Sequence, residues 1–159
     1  MRIATLLAGA LALGLAPLSA TAGGITIEDA YMRSSGVMAR TAAAFMRIVN
    51  GGSEDDRLVA AESDIAARIE THTHVAGDGG VMMMRKVEGG FPVPAGGMRL
   101  LQRGGDHLMF MGLTRKLAHG DMVRVRLIFE KAGAIELEIP VDLERMPEEG
   151  MKMEGMSGG

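Results

Sequence analysis

From Gly23 onward the chain falls into short stretches in which apolar and polar residues alternate, separated by clusters of glycine and proline. Residues 134–139 show the pattern most plainly: Ile135, Leu137 and Ile139 alternate with Ala134, Glu136 and Glu138, so a strand here buries one face and wets the other. Stretches rich in β-branched and apolar residues predict further strands, giving the set 25–33, 41–50, 57–62, 69–75, 81–87, 98–102, 107–113, 122–130 and 134–141. The gaps carry turn chemistry, at Asn50-Gly51-Gly52, Gly77-Asp78-Gly79-Gly80, Pro94-Ala95-Gly96-Gly97, Gly104-Gly105 and Lys131-Ala132-Gly133. No long stretch repeats with a helical period. Only residues 41–45 and 63–68 have much helical propensity, and the second is expected as a turn or one short helical piece. Many short strands joined by tight turns predict an all-β domain, a two-sheet sandwich or a small barrel.

The two ends break the pattern. Met1-Arg2 sets a positive charge before an apolar run from Ile3 to Leu18, which closes on Ser19-Ala20-Thr21-Ala22. A short apolar run ending in an A-x-A site reads as a cleavable secretory signal over residues 1–22, whereas a membrane anchor needs roughly 20 apolar residues and a different flank. The mature protein is expected to start at Gly23, to be exported to the periplasm and to keep no membrane-inserted segment. Residues 144–159 have no apolar periodicity and are expected as a flexible Met-rich tail carrying Met146, Met151, Met153 and Met156. Residues 23–143 then form a single domain.

Lys and Arg number 17 against 20 Asp and Glu, a net charge of −3, and the basic residues are spread along the chain. Nothing in that distribution predicts nucleic acid or an anionic membrane as a partner. No Ser/His/Asp order, no paired carboxylates and no phosphate-binding loop points to an enzyme. Sulfur changes the picture more. Cysteine is absent, while 15 methionines stand beside four Phe, one Tyr and no Trp. Disulfides and thiolate ligands are excluded, so any soft metal ligand must be a thioether.

Three of the four histidines fall in or near methionine-rich strands: His72 and His74 in Thr71-His72-Thr73-His74, and His107 in His107-Leu108-Met109-Phe110-Met111. Side chains two apart share a strand face, so His72 goes with His74, Met82 with Met84, and His107 with Met109 and Met111. If the strands of His72 and Met84 lie beside that of His107, two imidazoles and two thioethers can close on one ion. Such a set suits Cu(I); Ca and Mg want carboxylates, Zn fits less well, and a blue-copper electron-transfer site requires a cysteine. Imidazoles must be neutral to bind, so affinity is expected to fall as pH drops through about 6.5.

These residues resemble the periplasmic copper chaperones of the PCuAC type, small cupredoxin-like Cu(I) carriers. The likeness spans nearly all of the mature domain. It is carried by Asp56-Arg57-Leu58-Val59, Ile69-Glu70-Thr71-His72-Thr73-His74, Gly80-Val81-Met82-Met83-Met84-Arg85, Pro94-Ala95-Gly96-Gly97 and, most specifically, His107-Leu108-Met109-Phe110-Met111-Gly112-Leu113. The resemblance implies a cupredoxin-like β-sandwich or barrel of about eight to nine strands and the ligands His72, Met84, His107 and Met109. Eleven residues separate His72 from Met84 and twenty-two separate Met84 from His107, each gap one longer than the family's pattern. Met83 is therefore a rival to Met84 by distance, and His74, Met82 and Met111 are possible additional ligands, with core packing the more natural role for Met111. As partners the resemblance implies the CuA-bearing subunit of cytochrome c oxidase, a thiol-containing Sco-type assembly protein, or both.

Blander readings stand beside these. A lone His is more often a surface residue and a lone Met more often packing, so Met32, Met38, Met46, Met98 and Met122 are assigned to core or surface and His119 to a surface turn. Passive copper buffering without a dedicated acceptor, and a β-sandwich assembly module with an incidental His/Met cluster, are the alternative functions. The tail methionines are expected either as an inert segment or as a second cuprous-binding arm.

Overall fold

The computed structural model describes residues 19–146; residues 1–18 of the expected signal and Met151, Met153 and Met156 of the expected tail lie outside them. Among the described residues eleven strands form two antiparallel sheets, and the single helical piece is a 3-10 turn at Asp78–Gly80. The alternation of the sequence becomes the pleat. Along β10 (Met122–Phe129) Val123, Val125, Leu127 and Phe129 are buried while Arg124 and Arg126 face water. Its hairpin partner β11 (Gly133–Pro140) pairs with it from Met122↔Pro140 to Phe129↔Gly133. With β4 (Asp56–Glu62) and β7 (Phe91–Val93) they make the smaller sheet, in the order β11-β10-β4-β7.

The larger sheet runs β1 (Ala20–Ala22), β2 (Ile25–Ser34), β3 (Thr41–Asn50), β9 (His107–Leu113), β5 (Ala66–Ala76) and β6 (Met82–Lys86). β8 (Met98–Leu101) also pairs with β3, taking residues 46–49 while β9 takes 41–44. Ile27, Met32, Ile48, Leu108 and Phe110 of this sheet meet Leu58, Phe91, Val125, Leu127 and Ile139 of the other in one core. At the junction before β7, Gly90 has a φ of 79°, and a Cβ there would lie 1.9 Å from the Leu58 carbonyl oxygen, so only glycine lets β7 close on β4.

Each position expected as a strand core lies in one. Two strands were missed, β1 and β7, at three residues each too short for a periodic signal. Ala20–Ala22, the expected cleavage motif, forms β1 against β2. Residues 41–45 are strand rather than helix because Ala42 and Ala44 are buried at alternate positions. Asp64 and Ile65 make the expected turn, after which β5 begins. Fastened chain reaches into the expected tail, where Arg145 pairs with Asp29 and its guanidinium lies 4.1 Å from the centre of the Tyr31 ring.

The larger sheet has one face on the core and one facing out, and pairing register sorts the candidate residues between them. His72 lies opposite His107, His74 opposite Met84, and Glu70 and Ala43 both opposite Met109. Residues directly opposite share a face. Since the neighbours Leu108 and Thr71 point into the core, this whole set is on the outer face.

Candidate metal centre

β5 lies between β9 and β6, which brings the three histidines and Met84 together. His107 is 2% exposed although it is on the outer face, because Phe45, His72 and His74 enclose its ring at centroid distances of 6.2, 5.9 and 5.2 Å. A cavity of about 240 Å3 opens beside it, walled by His74, Met84, His107 and Met109 together with Thr41, Ala43 and Phe45, and with Arg33 and Arg103 also lining it. His72 lies outside that wall. Met83, opposite Val75, faces the other way from Met84 and seats its sulfur against Gly77. Met82 is exposed opposite Ala76, and the Met111 sulfur accepts from Arg68 Nη2 at 3.6 Å, so neither lines the cavity. Met111 is on the outer face beside Arg68, not in the core where packing was expected to hold it.

The partners of the imidazoles assign their tautomers. The Gly104-Gly105 turn before β9 aims the Gly105 carbonyl at two rings; it accepts from His107 Nδ1 at 3.0 Å and from His74 Nδ1 at 3.3 Å. Glu70 Oε2 accepts from His72 Nε2 at 2.9 Å, because a carboxylate offers no proton. Among the described residues two buried ring nitrogens have no hydrogen-bond partner, His72 Nδ1 and His107 Nε2. Buried polar atoms in folded proteins nearly always have partners. An imidazole that gives one N–H to a carbonyl or carboxylate and holds its other nitrogen bare and dry is arranged as a metal-ligating histidine is.

Electrostatics favour the neutral form of His107. Burial pushes the His107 pKa below its ordinary 6.5, and His74 and His72 push the same way, against the Gly105 hydrogen bond and the charge of Asp106. Glu70 is held below the usual carboxylate range, first by its hydrogen bond to His72 and, against some desolvation, by the charges of Arg68 and Lys86. Among the described residues no three His, Asp or Glu side chains form a metal-binding group. The other methionines are divided: Met32 and Met46 are buried, Met38, Met98, Met122 and Met146 exposed. His119 accepts from the Leu143 N–H at 3.2 Å and has the carboxylates of Asp142 and Glu144 beside it, each at 3.7 Å.

Residues 25–141, nearly the whole described domain, match the family described as "Putative lipoprotein LpqE-like". The chain belongs to the LpqE-like family. A relative, "Putative lipoprotein Lxx21020" of Leifsonia xyli subsp. xyli (strain CTCB07), is 32% identical over 120 residues, 76% of this chain and 70% of the relative. Solved structures share the fold. The copper-bound PCuAC domain from PmoF2 superposes with a TM-score of 0.68 at 22% identity, over 79% of this LpqE-like chain and 98% of that domain. The Cu(I) form of DR1885 from Deinococcus radiodurans does so at 0.59 and 26% identity, over 83% and 84%; its apo form gives 0.58 and 27%, over 90% and 95%. The expected cupredoxin-like class is thus the fold found, with eleven strands among the described residues rather than eight or nine.

Proposed function

We propose that this protein binds one Cu(I) through His72, Met84, His107 and Met109 and hands it to another protein. The observation that carries the reading is the pair of buried, unpartnered nitrogens, His72 Nδ1 and His107 Nε2, on adjacent strands beside Met84 and Met109. Neutral nitrogen and thioether donors suit cuprous copper, and their lack of charge keeps exchange with an acceptor feasible. The Cu(I) form of DR1885 and the copper-bound PmoF2 domain, whose fold this chain shares, support the choice of metal. The acceptor is the CuA-bearing subunit of cytochrome c oxidase, reached directly or through a Sco-type assembly protein. The site works in the periplasm after a signal peptide is removed before Gly23, which takes β1 with it and leaves β2 as the sheet edge; the mass of the exported protein tests that cleavage.

A second reading replaces His72 by His74, because His74 walls the same cavity as Met84, His107 and Met109 while His72 does not. Titration of Cu(I) against a competing chelator separates the two. The first reading predicts that His72→Ala weakens binding by about a hundredfold or more and His74→Ala by less than about tenfold, since His74 donates to the Gly105 carbonyl and holds neither His72 nor His107 in place. Copper that reaches an isolated CuA domain faster than it dissociates into chelator supports transfer; equal rates leave only buffering.

A further inference from the structure

His72 differs from the other two imidazoles in what holds it. His74 and His107 give Nδ1–H to the Gly105 carbonyl, whereas His72 gives Nε2–H to Glu70 Oε2 at 2.9 Å, so the bare nitrogen of His72 is Nδ1 and that of His107 is Nε2. Glu70 precedes His72 by two residues on β5 and so shares its face. Its other oxygen is held from two strands, 3.2 Å from Arg68 Nε on β5 and 3.8 Å from Lys86 Nζ on β6. That carboxylate is a fixed acceptor. Moving the His72 proton from Nε2 to Nδ1 would set an unprotonated nitrogen against a carboxylate oxygen and forfeit a charge-assisted hydrogen bond.

We propose that Glu70 is a positioning residue for the metal centre: it holds His72 with Nε2 protonated, so that the two imidazoles bind Cu(I) through different atoms, Nδ1 of His72 and Nε2 of His107. The inference rests on the Cu(I) reading above and adds the nitrogen used by each ring and the residue that selects it. Nothing in the His-x-Met spacing points to Glu70, because its role follows from cross-strand register and from the ion pairs that anchor it. Outer partners of this kind orient the ring and raise its basicity, and their loss typically costs about 10- to 100-fold in metal affinity.

The test is the histidine nitrogen spectrum of the exported full chain, labelled with 15N and compared without copper and with Cu(I) under reducing conditions. The expected result is a copper-induced shift at Nδ1 of His72 and at Nε2 of His107. Glu70→Gln, which retains an acceptor oxygen, keeps Nδ1 ligation and most of the affinity. Glu70→Leu weakens Cu(I) binding by about tenfold or more and loses the single-nitrogen signature of His72. A wild-type shift at Nε2 of His72 overturns the inference, and so does a Glu70→Leu protein with unaltered affinity and ligating nitrogen. Should Glu70→Leu fail to fold, the wild-type spectrum and Glu70→Gln decide alone. If both His72 nitrogens ignore Cu(I) while those of His74 and His107 respond, His72 is no ligand and the inference falls with that part of the functional reading.

Discussion

Asp56 and the His72–His107 pair are both polar and both set into the folded domain, yet their surroundings are opposite. The Asp56 carboxylate, at the start of β4, accepts from the backbone N–H of Arg57 at 2.7 Å, Lys131 at 2.9 Å and Ala132 at 2.9 Å, pinning β4 to the turn of the β10–β11 hairpin. Burial alone would raise its pKa, but the three hydrogen bonds and the charge of Lys131 together hold it below the usual carboxylate range. At the histidines the equivalent account is left open, with one nitrogen of each ring dry and unpaired. A buried group without a partner costs about 1–3 kcal/mol, so the apo fold carries a strain at the histidines that it does not carry at Asp56. A satisfied buried polar group belongs to the architecture, and an unsatisfied one is matched to something that arrives later.

The sharpest way to break this contrast is to remove each group in turn. His107→Leu is expected to weaken Cu(I) binding by about a hundredfold or more, beyond the effect of losing an outer-shell partner, while the apo protein keeps or gains thermal stability. Chelator competition and thermal unfolding read the two effects. Asp56→Ala should do the reverse, losing about 3 kcal/mol in denaturant unfolding as three backbone donors lose their acceptor, with the Cu(I) affinity of the folded protein unchanged. If both variants lost stability and copper in parallel, the two clusters would not differ in kind.

A smaller effect sharpens the face assignment. Met84→Leu preserves volume and removes the sulfur, and should cost about tenfold in Cu(I) affinity, near 1.4 kcal/mol, whereas Met83→Leu on the opposite face should cost nothing. Smallest is a pH effect on the apo protein. The His107 pKa is lowered on folding, so between its folded value and the unfolded value near 6.5 the unfolded chain binds the extra proton. Stability is therefore full above about pH 6.5 and declines below it, and His107→Leu should flatten that decline. The Asp56 contribution works at lower pH, being present above about pH 4 and lost as the pH falls through its depressed folded value.

Much of this was legible in the chain. Period-two patterning located the long strands, since burial on one face leaves alternation in the residues, as at Val123, Val125 and Leu127. The same rule grouped His107 with Met109, and His72 with His74. It could not show which strands are neighbours, and so could not place Met84 across from His74 or His72 across from His107; those pairings depend on register between segments far apart in sequence. Register puts Met84 across from His74 and Met83 across from Val75, where distance along the chain points to Met83 and motif context to Met84. Glu70 lies in a segment that carries the resemblance and Gly105 in an expected turn, but neither had a role at the site, because an ion-paired glutamate and a backbone carbonyl become specific only once the rings are beside them. The resemblance selects His72 and leaves His74 as a possible additional ligand, while the cavity is walled by His74.

The central claim, that soft sulfur and bare imidazole nitrogen meet at one cuprous ion, is tested most directly by X-ray absorption at the copper edge of the Cu(I)-loaded protein. Two sulfur and two nitrogen neighbours are expected, with one nitrogen lost in His107→Ala. A shell of nitrogen and oxygen alone, or one that His107→Ala leaves untouched, contradicts it.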